Sequence, residues 1–539
     1  MGALAAAFLV SACGGGGGSP APAPAPAPAP DPNALSIRSA TPEAGATDVA
    51  TDVRPRLLFS HGLDAATATA GSIRLSSGQG TEVFTPRVAG TELTLTPQRR
   101  LLPLTSYTLE IGTSLAGTGG ERLPAASSFT FTTADASWSA PAALPAPAGG
   151  EHKVLVERSG AMTVVWTQDL GATTGVFGMR HTAEGGWSTA QQVNTGAGRV
   201  TQLVLSEGRD GEIFLGFAKL EGGVSYSVFS SRFTAATGWE APHPLENSTL
   251  SAHDVRIASD PAGNAIAVWY QWDGVRYSIW AARRPAGAAW GTAGVIETTN
   301  MPAAAPELAM NAGGEAIAVW THYDNTRNSV WAARYTPAGG WSSPRMVDLA
   351  NVQDRVEPRV AVAPSGEAIA VWSEIDGANR TLRGSHFTPT GGWGATVSLE
   401  ASGPADSSAA RIGMDAAGHA IATWVRDGGA SDVWTNRWVP GTGWGTARRM
   451  NPAGVLSDAP VLAVNARGEA LLVWRESPAS GGLHLGAARY RPATGWTASE
   501  RIASSAYEPH ASLNDSGVGM LLWRPSATGS ANIQGRRLD

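Results

Sequence analysis

From Ser137 onward, short apolar runs come in sets of four, separated by glycine-bearing turns. In one set the runs are Val255–Ser259, Ala265–Gln271, Tyr277–Arg283 and Trp290–Glu297, termed here strands A to D. Runs this short, rich in β-branched and aromatic residues and bounded by turn formers, predict β-strands. The turn between A and B carries Gly160, Gly211, Gly263, Gly314, Gly366, Gly418, Gly468 and Gly517, at successive spacings of 51, 52, 51, 52, 52, 50 and 49 residues. So steady a period defines a repeat architecture. A glycine fixed at one turn position predicts a backbone with φ > 0 or a close approach there. Four strands per unit predict a propeller blade, and the 3.6-residue pattern of a helical solenoid is absent.

The ends of the repeat region set the count. Trp138–Leu144 matches strand D of the units, as in Trp341–Val347, whereas the last unit ends on the strand-C run Asn532–Leu538. An orphan D at one end and a missing D at the other predict a closing blade shared by both. The expected fold is all-β: a sandwich followed by an eight-bladed propeller over residues 137–539, with seven blades and one aberrant unit as the alternative.

Residues 35–134 differ in texture and contain no tryptophan. The runs Ile37–Ser39, Arg54–Ser60, Ser72–Leu75, Glu92–Thr96, Tyr107–Ile111 and Ser128–Thr132 predict an antiparallel sandwich, with clear alternation in Leu93-Thr94-Leu95-Thr96. The wording Thr41-Pro42-Glu43-Ala44-Gly45-Ala46-Thr47-Asp48-Val49, Leu57–Ser60, Leu104–Leu109 and Phe129-Thr130-Phe131-Thr132-Thr133 resembles the SbsA-type bacterial Ig-like domain of S-layer and other surface proteins. The resemblance implies a stalk or adhesive module without catalytic residues.

At the start of the chain, Leu4–Val10 is apolar but too short to span a bilayer. It leads into Leu9-Val10-Ser11-Ala12-Cys13, which resembles the lipobox of bacterial lipoproteins, although Met1-Gly2-Ala3 holds no Lys or Arg. The resemblance implies a signal peptide over 1–13, a lipid on Cys13 and, with Gly14 following the cysteine, release to the outer membrane. Residues 14–34 form a Gly and Pro-Ala linker, and its proline run favours extended polyproline II, a semi-rigid spacer.

Composition narrows the function. With 39 basic and 45 acidic residues in 539 and a net charge of −6, no basic field exists to attract nucleic acid. A single cysteine excludes an intramolecular disulfide. The 20 tryptophans fall mostly at two repeat positions. One ends strand B (Trp166, Trp269, Trp320, Trp372, Trp424, Trp474 and Trp523, with Phe217 in the second unit); the other opens strand D (Trp138 through Trp496). Residues present in every unit serve what every unit needs, so packing is expected over a ring of sugar platforms.

The candidate ligand contacts are therefore positions that vary. Two residues beyond the strand-B aromatic stand Gln168, Lys219, Gln271, His322, Glu374, Arg426 and Glu476, followed closely by Trp272, Tyr323 and the loop acids Asp169, Asp273, Asp324, Asp376 and Asp427. Gln168, Gln271, Trp272, His322, Tyr323, Glu374, Arg426 and Glu476 are the expected binding residues, on the face of the B–C and D–A loops. The plainer alternative is a solvated strand end with turn-forming acids. Ser259-Asp260-Pro261-Ala262-Gly263 resembles the Asp box of sialidases, but its Gly-to-Trp spacing is too long. The strand-C arginines recur in nearly every unit, which suits structural pairing. No zinc, calcium, phosphate-loop or serine-nucleophile motif is present, so no cofactor or metal is expected. The repeat wording looks like the lectin-type and sialidase-like propellers of bacterial surface proteins. Together these readings predict a non-catalytic surface lipoprotein whose propeller binds glycan or a protein partner. The alternatives are a degenerate sialidase-like glycoside hydrolase and a purely structural envelope protein.

Overall fold

A computed structural model describes residues 33–539 apart from 148–149, 195, 349–353, 378, 401–404 and 527–530. Cys13 and the Pro-Ala linker lie outside the described residues. The described chain is all-β, with one 3-10 turn at Ala65–Thr67.

The first module is a two-sheet sandwich. One sheet orders Ile37–Thr41, Arg56–Phe59, Glu92–Pro97 and Phe84–Ala89; the other orders Ala46–Val49, Ser127–Thr133, Ser106–Ile111, Ile73–Ser77 and Gly80–Thr81. Alternating residues Leu57 and Phe59, Leu93 and Leu95, and Tyr107, Leu109 and Ile111 meet between the sheets. The strands Ala46–Val49, Phe84–Ala89 and Gly80–Thr81 were not legible as apolar runs, because they pair at sheet edges and bury few side chains. The Tyr107 hydroxyl accepts from the Leu102 N–H at 2.8 Å. Burial raises its pKa to about 12.

Each repeat unit folds into an antiparallel sheet in the order A-B-C-D. The strands A are His152–Val156, Val200–Glu207, Ala252–Ser259, Ala303–Met310, Asp354–Val362, Asp406–Met414, Leu456–Val464 and Tyr507–Leu513. Each strand A touches the next, and the last touches the first, so eight innermost strands close a ring around a central channel. Units are numbered 1 to 8 in this order. In unit 8, Ala142–Pro147 supplies the fourth strand beside Asn532–Leu538, joining both ends of the repeat region in one sheet.

Strand D is shorter than its apolar run suggests. In unit 4 it reduces to Gly340–Trp341 and Arg345–Met346, and in unit 3 to Gly294–Val295. It is the outermost strand, and Pro344 interrupts the unit-4 ladder because it has no N–H to give. All eight A–B turn glycines have positive φ, from +76° to +92°. In five turns an Asp or Asn five residues ahead of the first strand-B residue closes the loop; Asn311 Oδ1 accepts from the Gly313 and Glu315 N–H groups, both at 3.0 Å.

The strand-B aromatics are core: Trp269, Trp320, Trp372, Trp424 and Trp474 are all 0% exposed. Strand-D tryptophans pack on strand-C aromatics, with Tyr335 and Trp341 centroids 5.5 Å apart and Phe387 and Trp393 5.2 Å apart. Strand-C arginines pair structurally: Arg180 with Glu157 at 2.5 Å, Arg232 with Glu212 at 2.9 Å, Arg334 with Glu315 at 2.7 Å.

The sandwich packs on the A–B turn end of the propeller. Asp135 takes ion pairs from Arg489 and Arg491, Arg100 reaches Asp539 at 3.1 Å, and the Pro103 ring lies over Gly517. The opposite end, carrying the B–C and D–A loops, faces away from it.

Candidate ligand-binding face

Most of the variable positions two beyond the strand-B aromatic are inside the protein, not on a solvated rim. Gln271, His322, Glu374 and Glu476 are 1%, 3%, 9% and 5% exposed. The reason is the two-residue period of a strand: a residue two beyond a buried Trp shares its face. Their polar groups are used internally. The Trp269 indole N–H donates to Gln271 Oε1 at 2.8 Å, and Trp474 donates to Glu476 Oε1 at 2.9 Å. His322 contacts the Thr299 hydroxyl and packs 5.3 Å from Trp331. Burial, the largest effect on His322, lowers its pKa. Glu374 joins Arg355, itself 1% side-chain exposed, at 3.0 Å and Arg383 at 3.2 Å. Arg426 reaches the buried Glu400 at 3.4 Å and lies over the Trp434 ring. Gln168 is partly exposed, and Tyr323, at 40%, is the one of the eight that is open to solvent.

Four of the loop acids are turn formers. Asp273 Oδ1 accepts from the Val275 and Arg276 N–H groups at 2.8 and 2.9 Å, and Asp169 and Asp427 each cap a glycine N–H two residues on. The Thr326 hydroxyl, and behind it the loop N–H groups, hold Asp324 down at about 2.

Trp272 belongs to a different arrangement. It stands three beyond the buried Trp269, so it lies on the other face of strand B with Tyr270. There Tyr226, His253, Tyr270, Trp272 and Tyr277 form one continuous cluster at the seam of units 2 and 3. His253 is 4.9 Å from Tyr226 and stacks on Tyr270 at 5.3 Å; Tyr277 is 5.2 Å from Tyr270 and 5.3 Å from Trp272. All five keep part of their surface in solvent. The cross-strand register places His253 opposite Tyr270 and Trp272 opposite Tyr277, so the ladder itself builds the stack. Close by in the chain, Val224, Val275 and Leu250 lie within three residues of Tyr226, Tyr277 and His253 and are 88%, 78% and 39% exposed. Burial, then Asp254 and Tyr277, raises Tyr270 to about 12, and burial lowers His253. The cluster was missed in the sequence because its members come from four strands of two units. Of the five, Trp272 alone is among the expected binding residues.

A second aromatic cleft, about 780 Å³, opens between units 4 and 5 against Trp331, Phe387 and Trp393. Its aromatic pairs recur in other units, which assigns them to packing between strands C and D.

The channel wall has its own pattern. Strand A carries a β-bulge in units 2 to 8, marked by positive φ at Gln202, Asp254, Ala305, Glu357, Ala409, Ala459 and Glu508. Two residues beyond the bulge, and seven before each turn glycine, one column reads Lys153, Val204, Arg256, Glu307, Arg359, Arg411, Val461 and His510.

Residues 31–133 match the bacterial Ig-like domain family. No curated protein matches the chain in sequence. Solved structures similar to it include the BP39L lectin from Burkholderia pseudomallei, at 12% identity and TM-score 0.43, over 66% of this chain and 99% of that one. The β-propeller domain of the Trilobed protease from Pyrococcus furiosus is similar at 8% identity and TM-score 0.37, over 68% and 97%. The NanB sialidase from Streptococcus pneumoniae is similar at 8% identity and TM-score 0.33, over 94% and 93%.

Proposed function

We propose that this chain is a non-catalytic surface lipoprotein that binds glycan. In this reading Cys13 carries the outer-membrane lipid, the Pro-Ala segment is a tether, the Ig-like domain is a stalk and the propeller is the binding head. The observation that carries it is the cluster of Tyr226, His253, Tyr270, Trp272 and Tyr277. Contiguous aromatic rings with polar edges and partial exposure offer apolar faces to sugar rings and hydrogen bonds at their margins. Their position supports the reading, since they lie on the propeller end that the stalk leaves free. Exposed aliphatics around such a cluster are uncommon on a surface without a partner.

The test is a glycan array probed with residues 33–539 and with the double variant Trp272→Ala/Tyr277→Ala. Binding by the wild-type chain that falls at least about tenfold in the variant supports the reading; equal binding by both rejects this face. Turnover of an aryl glycoside by the same protein would overturn the non-catalytic assignment. Lipidation is read separately: Cys13→Ser should abolish palmitate labelling and membrane partitioning.

A further inference from the structure

We propose that the central channel contains a binding site for an oxyanion group, formed by Arg256, Arg359 and Arg411 around Glu307. The three arginines occupy the same strand-A position in units 3, 5 and 6, and each is held in the same way. Nη1 of Arg256, Arg359 and Arg411 donates to the carbonyl of the preceding residue, at 3.2, 2.8 and 2.8 Å. Arg256 and Arg359 reach Glu307 from opposite sides, both at 3.1 Å, yet keep 28% and 25% of their side-chain surface open. Arg411 makes no ion pair among the described residues. One carboxylate is thus shared by two guanidiniums, with a third at the same position of the next unit.

Two further acids stand near these arginines. Asp254 is engaged by the Gln202 side chain and stands 4.0 Å from Arg256. Glu357 accepts from the Ala409 N–H at 3.3 Å and stands 4.0 Å from Arg380. Burial, and next the charge of Arg359, lowers the pKa of Arg411, with Arg256 adding to the effect and Glu307 and Glu357 opposing it. Groups from four units therefore share one electrostatic space, and Arg411 is the guanidinium in it that makes no ion pair among the described residues. The fold does not require that charge, since units 2 and 7 carry Val204 and Val461 at the same position. Fixed guanidinium forks with unused donors match the several acceptor oxygens of a sulfate, phosphate or carboxylate. The group is either a free inorganic anion or a substituent on a saccharide.

The experiment is titration calorimetry of residues 33–539 with sodium sulfate and with inorganic phosphate at fixed ionic strength, in wild type and R411Q. Each anion is expected to bind wild type once per chain and R411Q at least about tenfold more weakly, with R411K in between. Arg283→Gln removes a charge from strand C outside the channel and should leave both isotherms unchanged. A wild type that binds neither anion, or an R411Q isotherm equal to that of R283Q, overturns the site. R411K, which keeps the charge, guards against a loss caused by misfolding. Sulfated and unsulfated forms of one oligosaccharide then separate the sources. Tighter binding of the sulfated form than of inorganic sulfate, lost in R411Q, assigns a saccharide substituent; no such preference assigns a free anion. Trp272→Ala/Tyr277→Ala should leave inorganic sulfate binding intact, so the channel site and the aromatic face can fail independently.

Discussion

Acidification should open the ring at the seam of units 1 and 8, and His152 sets the size of the effect. His152 is 1% exposed on strand A of unit 1, edge-on to His510 of unit 8 at 5.3 Å. Its ring nitrogens lie near the Gly150 and Glu508 backbone without a well-formed hydrogen bond. Burial, and after it the charges of Lys153 and Arg524, pushes its pKa from 6.5 down to about 4. His510 moves the same way, by burial first and then by Lys153 and His152. Because the folded-state pKa is depressed, the neutral ring belongs to the folded protein. Stability is complete above the unfolded value of 6.5 and is lost as pH falls from there toward 4. In that window the unfolded chain takes up a proton that the folded chain refuses. A shift of that size corresponds to about 3 kcal/mol for His152 alone, of which about 2 kcal/mol is lost between about pH 7 and pH 4.5. The assay is urea unfolding followed by tryptophan fluorescence across that range, comparing wild type with His152→Gln. Carboxylates titrate in both proteins, so the difference between the two curves isolates the histidine. The variant is expected to be less pH-sensitive by about 2 kcal/mol. Parallel curves would refute the reasoning.

Two further outcomes test the fold. Gly314→Ala puts a Cβ at φ +78°, 2.9 Å from Asp260 Oδ2, and should lower the unfolding free energy by about 1–2 kcal/mol, measured by urea midpoint. Glu374→Ala removes one acidic partner of the buried Arg355, whose other ion pair is with Asp348, a carboxyl that burial raises to about 6 against the pull of Arg355. The expected cost is about 3–5 kcal/mol in the same assay, with Glu374→Gln milder because it keeps an acceptor. These values also bear on His322, Glu374 and Arg426 as ligand contacts: a triple alanine variant should lose stability rather than binding alone.

The sequence was a sound guide to whatever repeats. The period of the turn glycine determined the four-strand unit, and its constancy pointed to the positive φ found at all eight turns. Recurrence of Trp at the end of strand B indicated packing, and those indoles are buried. The two-residue alternation also held information about Gln271, His322, Glu374 and Glu476 that the pattern of variation obscured. Variable chemistry suggested a ligand, whereas parity with the buried Trp meant a shared inner face.

What tertiary structure decided is which non-repeating residues meet. Tyr226 and Tyr277 lie 51 positions apart, yet both join the aromatic cluster through His253 and Tyr270, because neighbouring units pack face to face. Arg256, Glu307 and Arg359 come together only where innermost strands converge on a common axis. A bulge in strand A shifts the alternation there, so counting along the chain does not say which side chains turn toward one another. A local period fixes local geometry, since backbone sterics and pleat act over a few residues. Closure of a ring is a condition on all eight units at once, and no single unit contains it.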